Sequence, residues 1–142
     1  MRIYTTCIYV VWRNHILLIR RSKDDSHLPN WWESPGGHVD RDCGTMDNVL
    51  CRLEALRELR EETGIHAQPQ MLKLLPKEKN SNHLSYLLNL YSKLPPKVVL
   101  SNEHSQYRWD TLQNSPIAIR APMRRQVRDF IIKVRKGIWN VK

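Results

Sequence analysis

Three glutamates, Glu58, Glu61 and Glu62, crowd into the segment Arg57-Glu58-Leu59-Arg60-Glu61-Glu62-Thr63-Gly64-Ile65, which begins twenty residues after Gly37 of a Pro35-Gly36-Gly37 turn. At ~100° per residue their side chains leave a helix within a sector of about 100°. Like charges at i,i+4 destabilise a helix by roughly 0.2–0.5 kcal/mol. Two carboxylates ~4 Å apart repel by about 4 kcal/mol at an effective dielectric of ~20. Nothing structural requires that crowding. A hard divalent cation removes the penalty, because Mg²⁺ takes carboxylate oxygens while keeping several waters and bridging phosphates. The neighbouring glycine turn lets backbone come close to a ligand.

The run Arg-Glu-Leu-x-Glu-Glu-x-Gly-Ile after a Pro-Gly-Gly turn resembles the Nudix box, the signature of hydrolases that cut pyrophosphate linkages in nucleoside diphosphates joined to another group. Every specified position from Arg57 to Ile65 matches that pattern. The resemblance implies an α/β/α sandwich with a mixed β-sheet between helices, and Mg²⁺ or Mn²⁺ as cofactor. It also implies Glu61 and Glu62 as metal ligands, Glu58 as ligand or general base, a backbone carbonyl near Gly37 as a further metal oxygen, and Arg57 as the group that orients a carboxylate through charge-assisted hydrogen bonds.

The first half of the box departs from the family. The pattern has a glutamate six residues after its opening glycine, where this chain has Cys43. It separates that glycine from the arginine by 13 residues, where 19 lie between Gly37 and Arg57, an insertion of six. Counting back from Arg57 instead puts Val49 at the glutamate position. In the family the missing residue fixes the loop and pairs with the arginine. Glu54, three residues before Arg57 and four before Glu58, is the expected substitute; Asp47 is the alternative at the loop end, and a merely solvated Glu54 is the rival reading.

A second cluster, Glu103-His104-Ser105-Gln106-Tyr107-Arg108-Trp109, resembles a Glu-His stretch ending in Trp that many family members carry before their final strands. It marks Glu103 as an added metal ligand or as the base that deprotonates water, and His104 as polar loop surface. For the substrate, Trp31 and Trp32 offer rings to stack on a base or to line the core, with at least one of the two expected in the core. Arg20, Arg21 and Lys23, expected just after the second strand, offer cations for phosphates. Arg20, Arg21 and Trp32 are the substrate-binding candidates.

The elements that must position these groups follow from pattern. Residues 3–12 and 16–19, joined by Arg13-Asn14-His15, predict a hairpin, and residues 20–30 a surface loop. Thr45 or Asp47 is expected to cap a helix running to about Thr63, with Gly64 as its left-handed stop. Val49, Leu50, Leu53, Leu56 and Leu59 are its expected sheet-facing stripe, with the acids on the other side. Strands are predicted over 71–75, 84–91 and 106–109, and a turn over 111–116. A last helix is predicted from about Pro122, with Met123, Val127, Phe130, Ile131 and Val134 as its stripe and Gly137 as its end.

At 142 residues the chain reads as one domain. No apolar run approaches a membrane span, and a cytoplasmic protein is expected. Three cysteines without Cys-x-x-Cys spacing exclude a disulfide scaffold or zinc ribbon. The eight-residue step from Cys43 to Cys51 reads as incidental. The net charge of +9 calls for an anionic partner, with acids concentrated over 40–62 and cations, from Arg120 to Lys142, at the C-terminus. A nucleotide is the expected partner, a free dNTP or NTP first because the chain is minimal. The alternatives are an RNA 5′ end, which the charge favours, and a nucleotide-binding member without turnover. The oligomeric state, a homodimer included, stays open.

Overall fold

The computed structural model describes residues 1–113 and 121–141. In chain order its elements are β1 (Thr5–Trp12), β2 (His15–Arg21), β3 (Trp32–Glu33), β4 (Gly36–His38), α1 (Val49–Thr63), β5 (Leu72–Leu74), β6 (His83–Leu90), β7 (His104–Thr111) and α2 (Arg125–Arg135). Arg13 (φ 45°) and Asn14 (φ 63°) turn the chain between β1 and β2, with the two positive φ values that a tight two-residue hairpin demands. The hairpin then opens. The two strands pair only at Val11↔Ile16 and Trp12↔His15. Past that point the freed edge of β2 takes β3, at Ile19↔Glu33 and Arg20↔Trp32. The freed edge of β1 takes β4, at Thr5↔His38 through Cys7↔Gly36. Residues 32–38 are thus a wedge driven into a splayed hairpin, and the expected glycine turn is a strand.

The other edge of β1 pairs in parallel with β6 along its full length, β6 pairs with β5, and β2 pairs with β7, which completes a mixed seven-stranded sheet. Alternation divides the side chains between its faces. Ile8, Val10, Leu17, Ile19, Leu84, Tyr86 and Leu88 pack with Cys51, Ala55, Leu56 and Leu59 of α1. Cys7, Tyr9, Val11, Ile16, Leu18 and Leu87 pack with Val127, Phe130, Ile131 and Val134 of α2. The α/β/α sandwich and the stripe on the last helix stand as read from the sequence. Gly137 follows that helix at φ 72°.

The first helix requires two corrections. Its cap is Asn48, whose Oδ1 accepts the Leu50 and Cys51 amides, and not Thr45 or Asp47. Asp47 is occupied elsewhere, holding Arg52 bidentately and accepting from the Tyr86 hydroxyl at 2.7 Å. The sheet-facing stripe is Cys51, Ala55, Leu56 and Leu59, so the expected Leu56 and Leu59 stand, while Val49, Leu50 and Leu53 are exposed. The phase is turned because small residues at 51 and 55 let the helix approach the sheet where leucines would not. Gly64 does close the helix at φ 73°, its amide bonded to the Arg60 carbonyl. Of the expected turn over 111–116, Thr111 ends β7 and residues 114–116 lie outside the described residues, as do Arg120 and Lys142. Among the described residues no helix is long and apolar enough to cross a membrane.

Candidate active site

The wedge brings glycine backbone against the acidic face of α1. A Cβ on Gly36 would lie 2.3 Å from the Thr6 carbonyl oxygen, so only glycine fits between β4 and β1 there. A Cβ on Gly37 would lie 3.1 Å from the Glu58 carboxyl carbon, so Glu58 rests directly on the strand. The Gly36 amide donates to Glu62 Oε1 at 2.8 Å. Glu54, Glu58 and Glu62, at four-residue steps, therefore all turn toward the wedge and the loop behind it.

Glu54 is a buried clamp, not a solvated charge. Its Oε1 accepts from the amides of Asp40 (2.5 Å) and Arg41 (3.3 Å), and its Oε2 lies 3.4 Å from Arg57 Nε. Arg57 also reaches Glu58 Oε1 at 3.2 Å, Glu61 Oε2 at 3.0 Å and Asp40 at 3.3 Å. One guanidinium fixes the inserted loop and two of the three box glutamates. The Glu54 carboxyl stays below its ordinary range despite burial, because the Asp40 amide and Arg57 favour its charged form.

Among the described residues no arginine or lysine pairs with Glu62; its nearest basic group is His104 Nε2, 4.0 Å from Oε2. Glu62 is buried, and its carboxyl is pushed up to about 9, first by desolvation and then by the charges of Glu33, Glu58 and Glu103, against a single lowering hydrogen bond from Gly36. Glu58 is raised as well, again chiefly by burial. Glu33 and His104 complete the cluster: Glu33 takes two hydrogen bonds from Arg21 Nη1 (3.0 and 3.1 Å), and its Oε2 lies 2.8 Å from His104 Nε2. Glu33, Glu62 and His104 each present a ligand atom within 4.8 Å of the others. This donor set fits a divalent cation. Two carboxylates and an imidazole converge in one place, and a 2+ charge would offset the burial and the repulsion that raise Glu62.

A cleft of about 630 Å³ opens over these groups, lined by Glu33, Glu58, Glu61, Glu62 and Glu103. Thr6, His83, Arg124 and Gln126 also line it. Thr6 Oγ1, Ser34 Oγ and His83 Nε2 are buried there without a hydrogen-bond partner, so the cleft offers unmatched polar atoms to a ligand.

Of the residues singled out in the sequence, Gly37, Glu54, Arg57, Glu58, Glu61, Glu62 and Glu103 come together. Arg20 and Trp32 do not. Arg20 is the penultimate residue of β2 and bonds the Asn30 carbonyl and Gln106, and Trp32 is buried in the core on the α2 side. Successive strand residues point to opposite faces, so it is Glu33, next to Trp32, that reaches the cleft. Arg21 lines the cleft, where its Nη atoms hold Glu33 and Asp25 while its buried Nε has no partner. His104 is no surface histidine; it begins β7, is buried and has Glu33 as its partner. Glu33 and His104 were missed because they lie 71 residues apart and meet only through the wedge.

This sandwich, with a glutamate-bearing helix docked on a glycine strand, is a Nudix fold. The family model described as NUDIX domain matches residues 1–130, and the chain belongs to that family. It is 31% identical over 113 residues to the m7GpppN-mRNA hydrolase NUDT17 of Homo sapiens, a match covering 76% of this chain and 33% of that protein. The chain therefore spans about a third of that relative's length. It is 28% identical over 121 residues to the asymmetrical bis(5'-nucleosyl)-tetraphosphatase of Rattus norvegicus, covering 72% of this chain and 76% of the other. Among solved structures, the MutT protein of Methanosarcina mazei Go1 superposes with a TM-score of 0.65 at 23% identity, covering 97% and 96% of the two chains.

Proposed function

We propose that this chain hydrolyses a pyrophosphate linkage in a nucleoside polyphosphate, with Glu58, Glu61, Glu62 and the backbone at Gly37 holding Mg²⁺ or Mn²⁺. The observation that carries this reading is Glu62: a buried carboxyl crowded by three others and supported by one amide, with no arginine or lysine paired to it among the described residues and only the His104 ring, at 4.0 Å, beside it. When bound, such an ion supplies charge neutralisation to adjacent phosphoryl oxygens and favours ionisation of water. Arg57 holds Glu58 and Glu61 in register, and Glu54 ties that guanidinium to the loop over the cleft. Glu103, on the exposed loop before β7, faces the same cleft and takes the proton of the attacking water. Arg124, with Thr6, Ser34 and His83, receives the nucleotide's polar groups in the same cleft.

The two relatives narrow the substrate class, because both names describe a polyphosphate bridge between two nucleosides. A bridged substrate now ranks ahead of a free dNTP. Phosphate and nucleotide release should be measured on dNTPs, NTPs, bis(5'-nucleosyl) tetraphosphate and capped RNA, with and without Mg²⁺. Mg²⁺-dependent cleavage of a bridged substrate, lost in Glu61→Gln and Glu62→Gln, is expected. Equal inertness of wild type and variants on every substrate would leave a nucleotide-binding protein without turnover.

A second reading, cleavage at RNA 5′ ends, is favoured by the resemblance to an mRNA hydrolase and by Arg125, exposed on α2 beside cleft-lining Arg124 and Gln126. Binding to RNA that weakens steeply with salt, while a mononucleotide does not, would select it.

A further inference from the structure

Cys43 and Cys51 are not an incidental pair. They meet in the core between the inserted loop and the first turn of α1, with their Sγ atoms 2.6 Å apart. Both are buried among Ile3, Ile8, Ala55 and Tyr86. The third cysteine, Cys7, packs on the α2 side of the sheet and is within reach of Ser85 at 3.5 Å. A disulfide has its sulfurs ~2.0 Å apart, so the two sulfurs are already neighbours close to bonding distance.

We propose that Cys43 and Cys51 are a dithiol/disulfide pair, oxidised by exchange with a low-molecular-weight disulfide, that locks the inserted loop onto the glutamate-bearing helix. The Cys43 thiolate attacks one sulfur of the small disulfide, forms a mixed disulfide and releases one small thiol, which carries the proton Cys43 has lost. The Cys51 thiolate then attacks Cys43 Sγ and displaces the second small thiol. Two protein thiols become one disulfide, and one small disulfide becomes two small thiols.

Cys43 is the entry point because its loop neighbours Arg41, Asp42 and Thr45 are exposed, whereas Cys51 sits within the helix. Cys43 and Cys51 are both buried, so the first exchange step requires the loop to lift, and burial and the neighbouring Cys43 push the Cys51 thiol up to about 12, which slows the second. The bond would matter to the site through Glu54, three residues after Cys51, which holds the Asp40 and Arg41 amides of the same loop. The proposal concerns the thiols and does not depend on what the cleft turns over.

The test equilibrates the full chain with glutathione buffers of graded oxidised-to-reduced ratio, quenches with acid, alkylates and maps peptides by mass spectrometry. The expected product has Cys7 alkylated and a Cys43–Cys51 cross-linked peptide. Its Tm exceeds that of the dithiothreitol-treated protein by about 5–10 °C, and the difference disappears in Cys43→Ser. Should that variant fail to fold, the oxidised and reduced wild type still provide the comparison. The proposal is overturned if both thiols stay alkylatable at every ratio, if each carries a separate glutathione, or if cross-links involve Cys7.

Discussion

The stretch from Arg57 to Ile65 and the loop from Gly37 to Asn48 build one site by opposite routes. The helix meets every position of the family's motif, and each of its acids has a place on the cleft or on Arg57. The loop meets almost none. It is six residues longer, lacks the motif's first glutamate, and is tied down by Glu54, Asp47, Asn48 and the two buried thiols. The physical task is the same on both sides: carboxylates must be held still against a glycine backbone. The helix does it with motif residues, whereas for the loop the anchoring carboxylate, Glu54, is supplied from the helix.

That contrast can be broken first at Glu54. Glu54→Gln removes the negative partner of Arg57 and weakens the hold on the loop amides, and turnover on whichever substrate is cleaved should fall roughly 10–100-fold, as for other groups that orient metal ligands. Adding Val49→Glu to that variant should restore nothing, because residue 49 is 58% exposed and faces away from the loop. Recovery would place the missing glutamate at 49 and refute the substitution.

The helix side predicts a pH dependence. Glu62 has its carboxyl raised from an ordinary 4.5 to about 9 in the fold. An acid raised on folding contributes stability that is fully present below its unfolded value and is lost as pH climbs through the folded one. In chelator, the wild-type Tm should therefore fall between about pH 5 and 8, and Glu62→Gln should flatten that slope. Glu54 and Asp47, both lowered, are fully ionised across this window and add no slope there. A slope unchanged by the substitution would mean that Glu62 is ionised without a metal.

Smaller effects separate anchoring from chemistry. Asn48→Ala, which removes the cap, should cost about 1 kcal/mol in denaturant unfolding and leave the metal requirement unaltered. Leu53→Gln should change stability by no more than about 0.5 kcal/mol, since that leucine is exposed. A large loss would restore the stripe expected from the leucine spacing.

The legible parts of the sequence were those in which chemistry and local periodicity coincide. Glu58, Glu61 and Glu62 had a chemical reason to be crowded, and the stripe on α2 lies in one strongly amphipathic phase. The α1 phase was misread because Leu50 and Leu53 outweigh Cys51 and Ala55 by hydropathy, although small residues are what close packing on the sheet requires. The wedge was not legible, since residues 32–38 form strands only because a hairpin elsewhere opens to receive them. With the wedge hidden, Glu33 and His104 had no visible meeting point, and Trp32 was assigned to the substrate when its strand position turns it into the core.

The central claim, that Glu62 and the carboxylates around it hold a divalent cation, is tested most directly by titrating Mn²⁺ into the nucleotide-free protein and following the loss of the free-ion paramagnetic signal. Saturable binding is predicted, with affinity rising as pH increases because Glu62 must release its proton, and a marked loss of affinity in Glu62→Gln. Wild type and Glu62→Gln binding Mn²⁺ equally, or neither binding it at any pH at which the protein is folded, would contradict the account.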